Sequence, residues 1–324
     1  MAGTAQRRNC MTDYNDKFQK VDCHTHCYSH CVFKRMGIRY WDDETSFEEK
    51  TEFIKSNMRK IFENACAKNL TVLAITDHAH AFSTHNIPFQ WYLTVFRDLQ
   101  REYQDRLKSL LGFELNLKRN PVKGIFIDLS ELSNETSSAN EIIKQADFLL
   151  CAEHPQDHTT LSGNHAYLEL LLRGIEHLRR IADRALEKPL ILAHPWQTAN
   201  MLNDIAYKKL NPEQQPPTLD DYLNSGLAPI SYFDEDQLRI LCRALVDNKI
   251  IPEINGFSID QRVSDITAQK TIVGSYINYC FEVDAPPLIS IGSDAHTPDK
   301  VGDTNIGLAR EKIPNLEEAV VWCV

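Results

Sequence analysis

Val21-Asp22-Cys23-His24-Thr25-His26-Cys27-Tyr28-Ser29-His30 sets potential metal ligands at short, regular intervals close to the N-terminus. An extended chain from Val21 to Cys27 puts Asp22, His24 and His26 on one face and Cys23, Thr25 and Cys27 on the other. Two imidazoles two residues apart on a strand can share one ion, and His30 follows just beyond. A His-x-His alone is as readily a surface accident or a hydrogen-bonded pair. The reading therefore depends on what later strands supply.

Working outward, the pattern is one of alternating strands and helices. Ser46-Phe-Glu-Glu49 has the form of a capping box, and Ile54, Met58, Ile61, Phe62 and Ala65 follow at helical spacing. Leu70 to Ile75 is a continuous apolar run, as expected of a parallel strand buried on both faces, and it ends in Thr76-Asp77-His78. A helix is expected over Gln90 to Ser109, then a strand over Leu110 to Leu115 that carries Glu114. A hairpin is expected near Gly124 to Asp128, and the fourth strand is Asp147 to His154.

Leu168, Leu171, Leu172, Ile175, Leu178, Ala182 and Ala185 mark the clearest helix. Pro189 to Pro195 is the fifth strand, with His194 near its end. Residues 197–234 are polar and Pro-rich; because alternation resumes unchanged afterwards, they are expected to be an insertion and not an interdomain linker. The sixth strand, Ile250 to Asn255, carries Glu253 and Asn255, and a helix follows near Thr267 to Phe281. The seventh, beginning at Pro287, runs to Asp294-Ala-His296. No nucleotide-binding glycine signature follows any strand.

The 324 residues, 43% hydrophobic and 25% charged, suit an ordinary globular chain. A net charge of −10 argues against a nucleic-acid or membrane surface, while leaving room for an anionic substrate beside metal cations. Met1 to Asn9 lacks the apolar core of a secretory signal. Nine cysteines form an odd set without ribbon spacing. Cys23 and Cys27, on the face opposite the histidines, are expected to point towards covering helices as buried, reduced thiols, which implies a cytoplasmic protein.

The decisive feature is where the polar residues fall. His24/His26, His78, Glu114, His154, His194, Glu253/Asn255 and Asp294/His296 all lie at or near C-terminal strand ends. In a closed barrel those ends converge on one mouth, where barrel enzymes keep their chemistry. Each residue singly has a plain structural reading; every strand ending this way does not. Imidazole and carboxylate without thiolate suit Zn, Mn or Fe, and the set exceeds one tetrahedral site.

Asp22-Cys-His-Thr-His26, Thr76-Asp-His78, Gly112-Phe-Glu114, His154, His194-Pro195 and Gly292-Ser-Asp-Ala-His296 together resemble the PHP (polymerase and histidinol phosphatase) superfamily, from about Val21 to Gly302. The resemblance implies a single-domain distorted (β/α)7 barrel at residues 21–310, between an N-terminal extension (1–20) and a C-terminal segment (311–324). It implies two to three divalent ions. His24, His26, Glu114 and Asp294 would hold the first, Glu114 would bridge to a second held by His154 and His194, and His30, His78 and His296 would hold a third. The spacing to His30 departs from the family pattern. Asp22 and Asp77 would orient imidazoles from behind.

The activity so implied is hydrolysis of a small-molecule phosphate monoester by a metal-bound hydroxide. Glu114, Asp294 and His296 would be catalytic, and Arg262 would clamp phosphate. His158 is expected to be a solvated loop histidine. Two alternatives stand beside this reading: amidohydrolase-type C–N hydrolysis and a non-catalytic, metal-stabilised interaction module. Amidohydrolases commonly use a carboxylated lysine on a middle strand, where this chain has Glu114. The intact ligand set disfavours the interaction module.

Overall fold

The computed structural model describes residues 18, 20–28, 32–33, 36, 45–85, 87–120, 124–127, 129–133, 138–153, 163–184, 188–195, 233–256 and 263–322. The expected insertion at 197–234 falls almost entirely outside them, as do His30, His154, His158 and Arg262.

Parallel strands and helices alternate: β1 Val21–Asp22, α1 Phe47–Ala67, β2 Val72–Ile75, α2 Ala79–His85, α3 Phe89–Tyr103, β3 Lys108–Leu111, β4 Glu114–Asn120 and β5 Gly124–Ile127. After these come α4 Ala139–Gln145, β6 Leu149–Glu153, α5 Gly163–Arg184, β7 Leu190–Ala193, α6 Glu235–Asp247, β8 Ile250–Asn255, α7 Val263–Glu282, β9 Leu288–Gly292, α8 Ile306–Lys312 and β10 Val320–Val321.

The local chemistry explains the element ends. Ser46 Oγ accepts from Glu49 N at 3.2 Å while Glu49 Oε2 accepts from Ser46 N at 2.9 Å, so α1 opens with the expected capping box. It closes before Asn69, whose φ of 58° is the left-handed turn that ends many helices. Between these ends Ile54, Met58, Ile61, Phe62 and Ala65 are buried. Ser138 with Glu141 and Asp234 with Gln237 cap α4 and α6 in the same way.

The strands form two sheets, β1-β2-β3 and β10-β9-β8-β7-β6-β4-β5. All described pairings are parallel except the β4/β5 hairpin. Two parallel bridges join the sheets, His78 to Glu114 and Thr25 to Ala295. At the second junction Cys23 N donates to Ile291 O and Asp294 N to His24 O, each at 2.8 Å.

The third strand is split at Gly112-Phe113. Its first part pairs with β2 and its second with β6, and Gly112 N reaches Ile75 O at 2.9 Å. A Cβ at Gly112 would lie 2.7 Å from Phe148 Cζ, so glycine is required where the strand passes from one sheet to the other.

The apolar strands feed two cores by strict alternation. Leu73, Ile75, Leu149, Cys151, Leu190 and Leu192 pack in the large cluster with the helices. Val72, Ala74, Leu150, Ala152, Ile191 and Ala193 belong to a second cluster that contains no helix residue. Both faces of each strand are thus buried, which is why these stretches read as unbroken apolar runs.

The first strand departs from expectation. Only Val21–Asp22 is strand, so the alternation drawn through Cys27 does not hold. Cys23 lies in the helix-free cluster and not towards the helices, whereas Cys27 lies in the helix-side core as expected. At this point the Asp22 carboxylate accepts from Ser293 N (2.9 Å), Ser293 Oγ (2.6 Å), Gly302 N (2.7 Å) and His24 N (3.3 Å), and beyond it only the isolated bridge Thr25–Ala295 continues the pairing. Among the described residues no helix is long and apolar enough to cross a membrane.

Candidate metal centre

His24, His26, His78, Glu114, His194, Asp294 and His296 are all brought together, and all are buried. The first two follow β1, His78 follows β2, Glu114 opens β4, His194 follows β7, and Asp294 and His296 follow β9. Two of these positions need unusual backbone: His194 has φ 27° and Asp294 φ 52°, a left-handed conformation that costs energy in a non-glycine residue and concentrates at functional sites.

The donor atoms converge. His26 Nε2 lies 3.1 Å from His24 Nε2, 3.2 Å from Asp294 Oδ1 and 3.6 Å from Glu114 Oε2. His24 Nε2 lies 3.7 Å from Glu114 Oε2 and 3.8 Å from Asp294 Oδ1. A tetrahedral ion with donors at about 2.1 Å spaces them about 3.4 Å apart. His24, His26 and Glu114 bring their donor atoms within 4.8 Å of one another, as one ion requires, and Asp294 Oδ1 stands beside both histidines. A second group, His26, His78 and His296, also brings its donor atoms within 4.8 Å of one another. The rings of His78 and His296 each lie 4.4 Å from that of His26. His26 is thus shared between both groups, where the family pattern assigned it to one.

Glu114 is the hub. Oε2 lies 2.6 Å from His78 Nδ1, and Oε1 lies 3.0 Å from His194 Nε2. Burial disfavours its charge, but His78, His194 and His24 outweigh that and hold the carboxyl well below its usual range. Asp294 is held well below in the same way, burial being outweighed chiefly by His24 and His296. Burial opposes charge on His24, yet Glu253 and Asp294 raise it well above an ordinary imidazole. His78 and His194 are raised by Glu114 against the same burial. His26 is the exception: burial and repulsion from His296 and His78 keep it well below the usual value. Without metal, the surrounding carboxylates favour a proton on His24, His78 and His194, while burial and neighbouring imidazoles disfavour one on His26.

The supporting groups differ from expectation. Among the described residues neither Asp22 nor Asp77 hydrogen-bonds to an imidazole. Asp22 fastens the backbone as described above, and Asp77 accepts from Cys27 N and Tyr28 N, both at 2.8 Å, from Cys27 Sγ at 2.8 Å and from Tyr92 Oη at 2.6 Å. The carboxylate behind an imidazole is Glu253, with Oε1 2.8 Å from His24 Nδ1. Its place at a strand's C-terminal end was visible in the sequence; its partner was not. At the edge of the centre Asn116 Nδ2 lies 3.2 Å from His80 Nδ1 and donates to Glu131 Oε2 at 2.8 Å, and Lys118 pairs with Glu131 at 2.5 Å. Asn116 and Lys118 follow Glu114 at strand period, a signal that was available.

No family model and no curated protein matches the sequence. Among solved structures, histidinol phosphate phosphatase (HISK) from Lactococcus lactis subsp. lactis Il1403, complexed with Zn, L-histidinol and phosphate, superposes with a TM-score of 0.52. The match covers 94% of this chain and 95% of that chain at 16% identity. The chain has the fold of a histidinol phosphate phosphatase.

The resemblance read from scattered motifs therefore extends to the architecture of nearly the whole chain. Two other structures superpose more loosely. N-isopropylammelide isopropylaminohydrolase from Burkholderia multivorans has a TM-score of 0.36 and 11% identity over 86% of this chain and 65% of that chain. A GH5-4 broad specificity endoglucanase from Clostridium longisporum has 0.33 and 9% over 92% and 97%. Superpositions this loose carry no argument about the present chain.

Proposed function

We propose that this chain is a metal-dependent phosphoesterase that hydrolyses a small-molecule phosphate monoester. The observation that carries the reading is the convergence of His24 Nε2, Asp294 Oδ1 and Glu114 Oε2 on His26 Nε2, at 3.1, 3.2 and 3.6 Å. The shared fold with a histidinol phosphate phosphatase supports it.

The two sheets are read as one distorted seven-stranded barrel spanning residues 21–310, with β3 and β4 as halves of one strand. The bridges at Thr25–Ala295 and His78–Glu114 support this closure. So does the helix-free cluster, which is what a barrel interior contains.

Two to three divalent ions, Zn, Mn or Fe, are assigned to this centre. His24, His26, Glu114 and Asp294 would hold one, Glu114 and His194 with His154 a second, and His78 and His296 with His30 a third, His26 standing close enough to contribute. Such ions, when bound, polarise phosphoryl oxygens and lower the pKa of water. Glu114 keeps its oxygens on two sides, Oε2 towards His24, His26 and His78 and Oε1 towards His194. The burial of His24, His26, His78, Glu114, His194, Asp294 and His296 excludes bulk water from their donors. Arg262 is assigned as a phosphate clamp, and Asp294 and His296 as the remaining catalytic pair.

The test is phosphate release from a panel of sugar, amino-alcohol and nucleotide monophosphates. Activity that a chelator removes and Zn, Mn or Fe restores is the expected result. Metal-loaded protein inert on every phosphate ester, yet active on a C–N substrate, would reject the assignment.

A further inference from the structure

Resting on the metal-centre reading above, we infer that Glu253 is a positioning residue that fixes the metal-binding tautomer of His24 and the turn that carries His194. Glu253 is fully buried and touches both sides of the centre. Its Oε1 lies 2.8 Å from His24 Nδ1. Its Oε2 accepts from His194 N at 3.1 Å and from Asn255 Nδ2 at 3.2 Å.

The chemistry follows from the acceptor count. Oε2 already takes two N–H donors, so Glu253 serves here as an acceptor and His24 presents Nδ1–H to Oε1. Once the second proton is displaced by a metal, the lone pair of His24 would lie on Nε2, the nitrogen that faces His26, Glu114 and Asp294. The bond to His194 N holds a residue whose φ of 27° is left-handed, at the point where its imidazole turns to Glu114. One carboxylate on β8 thereby sets one ligand on each flank of the hub.

The neighbouring strand makes room for this. Asn255 pairs in register with Gly292 of β9. A Cβ at Gly292 would stand 2.3 Å from His24 Cβ and 2.5 Å from Glu253 Oε1. Only glycine lets His24 and Glu253 meet there.

Glu253→Gln separates this role from simple packing, because the amide cannot satisfy both ends. If its oxygen faces His24, its NH2 opposes two N–H donors. If its NH2 faces His24, the imidazole must carry its proton on Nε2, which blocks metal binding. The experiment is a zinc titration of apo wild type, E253Q and E253D against a competing chelator. Alongside it, 15N NMR of histidine-labelled, zinc-loaded wild type is assigned by the resonance lost in His24→Gln. Expected results are a proton on His24 Nδ1 in wild type, zinc affinity about 10- to 100-fold weaker in E253Q, and partial recovery in E253D.

Zinc affinity in E253Q within about threefold of wild type would overturn the inference, well short of the loss such outer groups produce. A proton on Nε2 of wild-type His24 would overturn it too, and decides the matter if E253Q does not fold. Wild type that takes up no zinc would overturn the metal-centre reading and this inference with it. Equal binding by wild type and E253Q overturns this inference alone.

Discussion

His194 Nε2 stands 3.0 Å from Glu114 Oε1, although 80 residues separate them in sequence. The other oxygen of the same carboxylate lies 2.6 Å from His78 Nδ1. A carboxylate that serves imidazoles on both sides is placed to bridge two ions. Glu114→Gln keeps the size and one oxygen but removes the charge, so kcat should fall about 100-fold or more, on the scale of losing one preorganised electrostatic group. Circular dichroism should show an intact fold, because the strand and helix cores do not include Glu114. Turnover above about a tenth of wild type at saturating metal would contradict the bridging role.

The protonation states make a second prediction. His24, His78 and His194 have raised pKa values in the metal-free protein, so they hold protons that a metal must displace. Metal uptake near neutrality should release protons, and apparent affinity should keep rising as pH climbs past the ordinary imidazole range, through neutrality and above. Calorimetry in two buffers of different ionisation enthalpy measures this directly. Identical heats in both would mean that no proton leaves the site.

The cysteines supply a third. Cys23 lies in the helix-free cluster and Cys27 Sγ donates to Asp77 Oδ2 at 2.8 Å, so neither contributes a donor to the centre. Changing both to Ser should leave metal stoichiometry unchanged. Stability should drop by about 1–3 kcal/mol, chiefly because Cys23→Ser places a hydroxyl in an apolar core. Loss of an ion from the double variant would place a thiolate among the ligands.

Gly292→Ala tests the crowding between β9 and the first ligand strand. The added methyl would fall within 2.5 Å of both His24 Cβ and Glu253 Oε1, so it must displace one of them. We expect a loss of about 1–3 kcal/mol in denaturant unfolding, as for other overpacked cores, with weakened metal uptake. Unchanged stability and uptake would mean that the strands can part there without cost.

Much of this was legible in the sequence for identifiable reasons. Ser46 and Glu49 cap α1 through side chains three residues apart, and such local chemistry can be read directly. Val72–Ile75 and Leu190–Ala193 are buried on both faces, which is why they appear as unbroken apolar runs. The seven side chains that meet at the centre were visible because each sits at or beside a strand end; His30 and His154, expected with them, lie outside the described residues. What escaped was long-range. Regular strand stops at Asp22, whose carboxylate is held by Ser293, 271 residues away, and no local signal shows that contact. Glu253 had a legible position but took its role from His24, 229 residues earlier. The split of β3 from β4 was equally hidden, since it depends on Gly112 lying against Phe148.

The measurement that bears most directly on the central claim is the metal content of the reconstituted, desalted protein, read by elemental analysis beside chelator-treated protein. The two groups His24/His26/Glu114 and His26/His78/His296, with Asp294 and His194 beside them, predict about two to three equivalents of Zn, Mn or Fe per chain. Removing them should abolish phosphate release and lower the unfolding temperature together. Less than about one equivalent after reconstitution, in a folded protein, would contradict a multinuclear centre of these ligands.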